Sequence, residues 1–189
     1  MAIIPAPYTF EGLRVRSNEE LIELWLTLNP PSIEELDGEY KGCLIPPLSV
    51  IHSEFRKANG PGEWFAKGFA PRPFGKYPGQ GYNLWFNFKK LVRQTRFACE
   101  MGHSQIDGRP SYLGYYAAFN NHNSGNGMTN DIRKIEYGLY LGVIHTNTIT
   151  DYYGPVNATT GRSAPHPFLL QGPLYPWAGV DDQEIEIRK

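Results

Sequence analysis

Residues 82–88 read Tyr-Asn-Leu-Trp-Phe-Asn-Phe, which puts Tyr82, Leu84, Phe86 and Phe88 on one face and Asn83, Trp85 and Asn87 on the other. A two-residue period of this kind suits a pleated strand with one face buried. Comparable short runs recur at intervals of roughly ten residues with turn residues between them. They span 38–44, 63–69, 82–88, 91–101, 112–119, 128–135, 139–149 and 167–171. Turn signals separate them: Pro46-Pro47, Gly60-Pro61-Gly62, Lys89-Lys90, Asp107-Gly108-Arg109-Pro110 and Glu136-Tyr137-Gly138. Successive strands with short connections pair antiparallel, and closing the sheet removes its exposed edges. The pattern predicts a mainly β fold, an antiparallel barrel of about eight strands. Such a barrel has an interior just wide enough for side chains or one small ligand.

A helical lead-in precedes the strands. Ser17 and Glu20 form a capping box, and Leu21, Leu24, Trp25 and Leu28 repeat at helical spacing until Asn29-Pro30-Pro31 stops the helix. Ser32 to Glu35 opens a further turn ending near Asp37-Gly38. Leu48, Ile51 and Phe55 predict a second short amphipathic helix over 48–58. Residues 1–37 are therefore expected to pack as a lead-in on one barrel domain, 38–189. Two Pro/Gly-rich loops and the polar stretch 120–127 interrupt the strands, and the acidic tail is expected to fray.

Aromatics make up 14% of residues, with 20 glycines and 16 prolines, which suits short strands and tight loops rather than layered helices. A formal net charge of −1 gives no general attraction for nucleic acid or anionic membrane. The basic run Lys89, Lys90, Arg93 and Arg96 reads as a solvated hairpin face. Cys43 and Cys99 lack metal or redox spacing. The first residues resemble no signal peptide, and no apolar run is long enough to span a bilayer. A cytoplasmic protein is expected, and a homodimer is compatible with it.

Gly38-Glu39-Tyr40-Lys41-Gly42 is similar to the G-x-W-x-G start of the first strand in lipocalin-like barrels, with Tyr40 in place of Trp. Trp64-Phe65-Ala66-Lys67-Gly68-Phe69 resembles the W-x-G-K-x-F segment of a group of small G-x-W-x-G domain proteins. Asn130 to Ile135, followed by Leu139 to Val143, resembles their D-x-x-R strand pair. The resemblance implies an apolar cavity lined by aromatics. Some barrels of this general kind are cofactor-free cyclases or isomerases of natural-product pathways, and others are carriers.

No nucleotide or metal motif is present. Gly75, Gly79 and Gly81 are turn glycines in a proline-broken loop. Gly102-His103-Ser104-Gln105 lacks the second glycine of a nucleophile elbow. His52, His103, His122, His145 and His166 show no metal-ligand spacing. No cofactor is expected. Strand 139–149 carries Leu139, Leu141, Val143, His145 and Asn147 on one face, apolar at one end and polar at the other. If that face points inward it forms the mouth of a pocket, with His145 as a general acid or base. Asp131 and Arg133 share a face, as a carboxyl–guanidinium pair beside a ligand or as a cross-strand ion pair. The expected catalytic residues are thus Asp131, Arg133 and His145. Trp64, Tyr82, Trp85, Tyr115 and Asn147 are the expected ligand-binding residues. The expected function is binding of a small hydrophobic molecule, as a cofactor-free cyclase or isomerase or as a non-catalytic carrier.

Overall fold

A computed structural model describes residues 8–46, 62–87, 89–119, 127–146, 159 and 163–180. The helix expected over 48–58 and Asn147 lie outside the described residues. Eight strands close into one antiparallel barrel in sequence order. They are β1 (Gly38–Leu44), β2 (Glu63–Ala70), β3 (Gly79–Asn87), β4 (Lys90–His103), β5 (Pro110–Tyr115), β6 (Met128–Glu136), β7 (Leu139–Thr146) and β8 (His166–Tyr175). β1 closes the ring by pairing with β8, Cys43 opposite Leu169 and Leu44 opposite Phe168. β3 begins within the Pro/Gly-rich loop expected over 70–81, because Gly79 to Gly81 pair with Phe97 to Cys99 of β4. The run expected as strand to 119 leaves the sheet at Tyr115 and finishes as a 3-10 turn over Tyr116–Ala118.

Helix α1 (Phe10–Leu13) precedes α2 (Asn18–Thr27). The capping box is present: the Glu20 amide donates to Ser17 Oγ (3.2 Å) and the Ser17 amide to Glu20 Oε2 (3.0 Å). Both helices lie on the outside of β7 and β8. Phe10, Leu13, Leu21, Leu24 and Trp25 pack there against Leu139, Leu141, Val143 and Leu169. Further round the outside, Trp177 covers Tyr82 at a tilt of 42°, their ring centroids 4.3 Å apart, and Val180 joins Ala66 and Leu84 beneath it.

The lumen holds the other side-chain set. Tyr40, Phe69, Phe97, Tyr112 and Tyr140 meet edge to face near one end, with Tyr40 5.7 Å from both Phe69 and Tyr140. Ile33 and Leu36 close that end. Glu35 fastens them: its carboxyl accepts from Lys134 Nζ (2.9 Å) and the Tyr140 hydroxyl (3.1 Å), while its carbonyl accepts from the Tyr40 hydroxyl (3.3 Å). The stack buries large apolar area and is the floor of the barrel. Toward the opposite end, Leu44, Trp64 and Met128 pack on the same core but stay partly exposed.

Candidate functional site

The wall around the middle of the lumen is built by glycines. A side chain on Gly42 would collide with the Trp64 ring, one on Gly81 with Phe97, and one on Gly142 with Phe168. Bare backbone on one strand thus gives each ring of a neighbouring strand a place to rest. Into the space those rings surround points the Lys67 side chain, 2% exposed. Its Nζ stands 4.9 Å from the centroid of Phe97, 5.3 Å from Tyr116, 5.4 Å from Phe168 and 5.6 Å from Trp64.

Lys67 reaches the lumen because β2 bulges. Register shifts between Trp64 and Ala66, so the extra residue, Phe65, faces out and is 39% exposed. Trp64, Lys67 and Phe69 then come to the inside, which strict alternation would forbid.

The amine donates to Asn83 Oδ1 (2.7 Å) and to the Tyr116 hydroxyl (2.6 Å). Tyr116 also accepts from Asn130 Nδ2 (3.0 Å) and donates to Asn83 Oδ1 (3.2 Å), and Trp64 Nε1 donates to that same oxygen (3.3 Å). Three donors converge on one amide oxygen that has two lone pairs. An ammonium has three N–H groups, and two of those of Lys67 have acceptors here. No carboxylate among the described residues pairs with it. Donors crowd the Asn83 oxygen, while Asn130 Oδ1, at the edge of the cluster, has no partner among the described residues. Burial draws the Lys67 ammonium down from its ordinary value to about 7, against a small opposing effect of Cys99. Burial likewise raises the Tyr116 hydroxyl and keeps it protonated, with the Asn130 and Asn83 hydrogen bonds pulling the other way.

The residues expected from sequence divide between the two faces of the wall. Trp64 is in the lumen, and Trp85 lies opposite it in register, on the Asn83 face of β3. Tyr82 is outside: its hydroxyl donates to Glu39 Oε1 (2.6 Å) beneath Trp177. Tyr115 is also outside, 6.1 Å from Tyr77, in a surface cleft of about 350 Å³ lined by Phe74, Lys76 and Ala117. The Leu139-Leu141-Val143 face points outward under the helices, so the inward placement of His145 is corrected. His145 Nε2 lies 3.2 Å from Asp131 Oδ1 on the outer surface of β6 and β7, and both side chains are buried.

Arg133, beside them, is pinned outside. Its guanidinium meets both oxygens of Asp107 (2.8 Å each), donates to the Trp25 carbonyl (3.2 Å) and covers the Trp25 ring at 3.8 Å. Burial opposes ionisation of Asp107, but the Arg133 hydrogen bonds and charge, helped by the Arg109 amide, hold its carboxyl below the ordinary value. Asp131, Arg133 and His145 therefore do not converge on the lumen. Among the described residues no three His, Cys, Asp or Glu side chains come together as a metal would require, and no helix is long and apolar enough to cross a membrane.

No family model matches the sequence, and no curated protein matches it significantly. Among solved structures, a protein from Thermomonospora curvata has a similar fold. Its TM-score is 0.53 at 12% identity, over 82% of this chain and 87% of that one. At that identity the likeness shows the shared barrel alone.

Proposed function

We propose that this barrel binds a small, largely apolar molecule carrying one acceptor oxygen, a carboxylate or a carbonyl, which it seats against Lys67. One observation carries the reading: donors gathered at the centre of an aromatic lumen, with a Lys67 N–H that no acceptor among the described residues takes up. An oxygen there takes up the remaining Lys67 N–H, and the rings cover the remaining apolar surface. Entry is from the end where Leu44, Trp64 and Met128 are partly exposed. In this reading Trp64 and Trp85 line the ligand, while Asp131, Arg133 and His145 hold the outer wall.

A role as a cofactor-free isomerase or cyclase is favoured over a passive carrier by the Lys67 amine. A group that titrates at about 7 exchanges protons with a bound substrate near neutrality. Titration with decanoate and with decyltrimethylammonium, followed by tryptophan fluorescence, tests the binding reading. The tails are alike and the head groups opposite. Decanoate is expected to bind and the cation to be excluded, with the preference lost in Lys67→Met. Equal binding of the two, or of neither, overturns it.

A further inference from the structure

We propose that Lys67 is a covalent carbonyl-capture site, condensing with an aldehyde or ketone on a small apolar ligand to form an imine. The inference rests on the binding reading above and narrows its acceptor oxygen to a carbonyl.

The other described lysines with close partners differ from Lys67. Lys134 is held by Glu35 at 2.9 Å, Lys41 lies 4.0 Å from Glu11, and Lys76 sits over the Tyr77 ring at the surface. Lys67 is buried with neutral hydrogen-bond partners, so no carboxylate among the described residues fixes it as an ammonium. A desolvated lysine freed of its proton near neutrality is a nucleophile. Its two partners hold the nitrogen in one place, among the rings of Trp64, Phe97, Tyr116 and Phe168.

The steps balance within the site. The amine nitrogen adds to the carbonyl carbon, and its proton passes to the oxygen, giving a carbinolamine. The C–O bond then breaks and the second N–H proton leaves with the oxygen, so one water departs and a C=N bond remains. The Tyr116 hydroxyl, 2.6 Å from Nζ and protonated, is placed to hydrogen-bond that oxygen and relay the proton. When the imine is protonated, the faces of Trp64, Phe97, Tyr116 and Phe168 receive its charge as they receive the ammonium. The same rings keep bulk water from hydrolysing it.

The test uses the intact protein, trans-cinnamaldehyde and sodium cyanoborohydride, which reduces an imine to a stable secondary amine. Mass spectrometry then maps the label. At pH 7 a surface lysine has a free-amine fraction of about one in a thousand or less, so Lys67 should label at least ~10-fold faster than Lys41 or Lys134. Its rate should be half-maximal near pH 7, whereas surface labelling climbs through pH 9. Lys67→Met should lose the fast label and keep the slow ones. Labelling confined to surface lysines overturns the proposal. Cinnamyl alcohol and cinnamate, followed by tryptophan fluorescence, separate the two readings. If they bind and Lys67 stays unlabelled, imine capture fails and ligand binding stands. If they do not bind and Lys67 stays unlabelled, both fail.

Discussion

Lys67 and Arg133 are both buried cations on the same barrel, one inside its wall and one outside. Arg133 is met by two carboxylate oxygens, a backbone carbonyl and the face of Trp25. Lys67 is met by a hydroxyl, an amide oxygen and four rings, with no opposite charge among the described residues. A buried charge held by its counter-ion locks elements together, here α2 and the Asp107 turn onto β6. A buried charge without a counter-ion costs stability and remains open to an incoming group. The contrast separates what holds the barrel from what it holds in reserve.

The largest expected effect tests the locked side. Arg133→Met should destabilise the fold by about 3–5 kcal/mol, because Asp107 and the Trp25 carbonyl lose their partner. Urea unfolding measures it, and a loss below about 1 kcal/mol would remove the contrast. His145→Ala, also on the outer wall, should cost about 1.5–3 kcal/mol through the lost bond to Asp131 and leave decanoate affinity unchanged. A weakened affinity with intact stability would return His145 to the binding site.

Lys67→Met should do the opposite and raise stability at pH 7 by about 1–3 kcal/mol, since it deletes a charge the lumen does not neutralise. The linkage has a definite sign. The folded-state value, about 7, is below the unfolded one, so between pH 7 and about 10.4 the unfolded chain binds more protons. Stability of the parent protein should rise with pH across that window, and Lys67→Met should flatten the rise. Thermal melts at pH 7, 8.5 and 10 decide it. The smallest effect is on the acid side. The Asp107 value is depressed, so its contribution is complete above about pH 4 and fades as pH falls below that. Arg133→Met should remove that part of the acid sensitivity.

The barrel itself was legible in the sequence, because period-2 runs and turn residues are local signals. The Ser17–Glu20 box and the start of β1 at Gly38 were legible for the same reason. Which face points inward was not. Leu139, Leu141 and Val143 are apolar because helices cover them, while their lumen neighbours Tyr140, Gly142 and Ile144 look less continuous. A barrel with covers on its outside buries both faces, and alternation alone cannot tell them apart. Tyr82 and Tyr115 were placed inside for that reason. Lys67 was visible only as one residue of a motif, since the bulge at Phe65 breaks the period between it and Trp64. A usable signal was the mid-strand glycines Gly42, Gly81 and Gly142, residues that a strand tolerates poorly without a reason.

Those glycines have a consequence for how such a lumen diversifies. A ring that rests on another side chain cannot shrink without disturbing its neighbour. Phe168 over Gly142, Phe97 over Gly81 and Trp64 over Gly42 rest on main chain, whose position the hydrogen-bond ladder sets. Trimming one of them opens room against a rigid surface on that side, while its ring neighbours, Phe69 and Tyr116 beside Phe97 or Phe168 beside Trp64, border the new space. Ligand size in this architecture can therefore change at rings whose backing the hydrogen-bond ladder already holds in place.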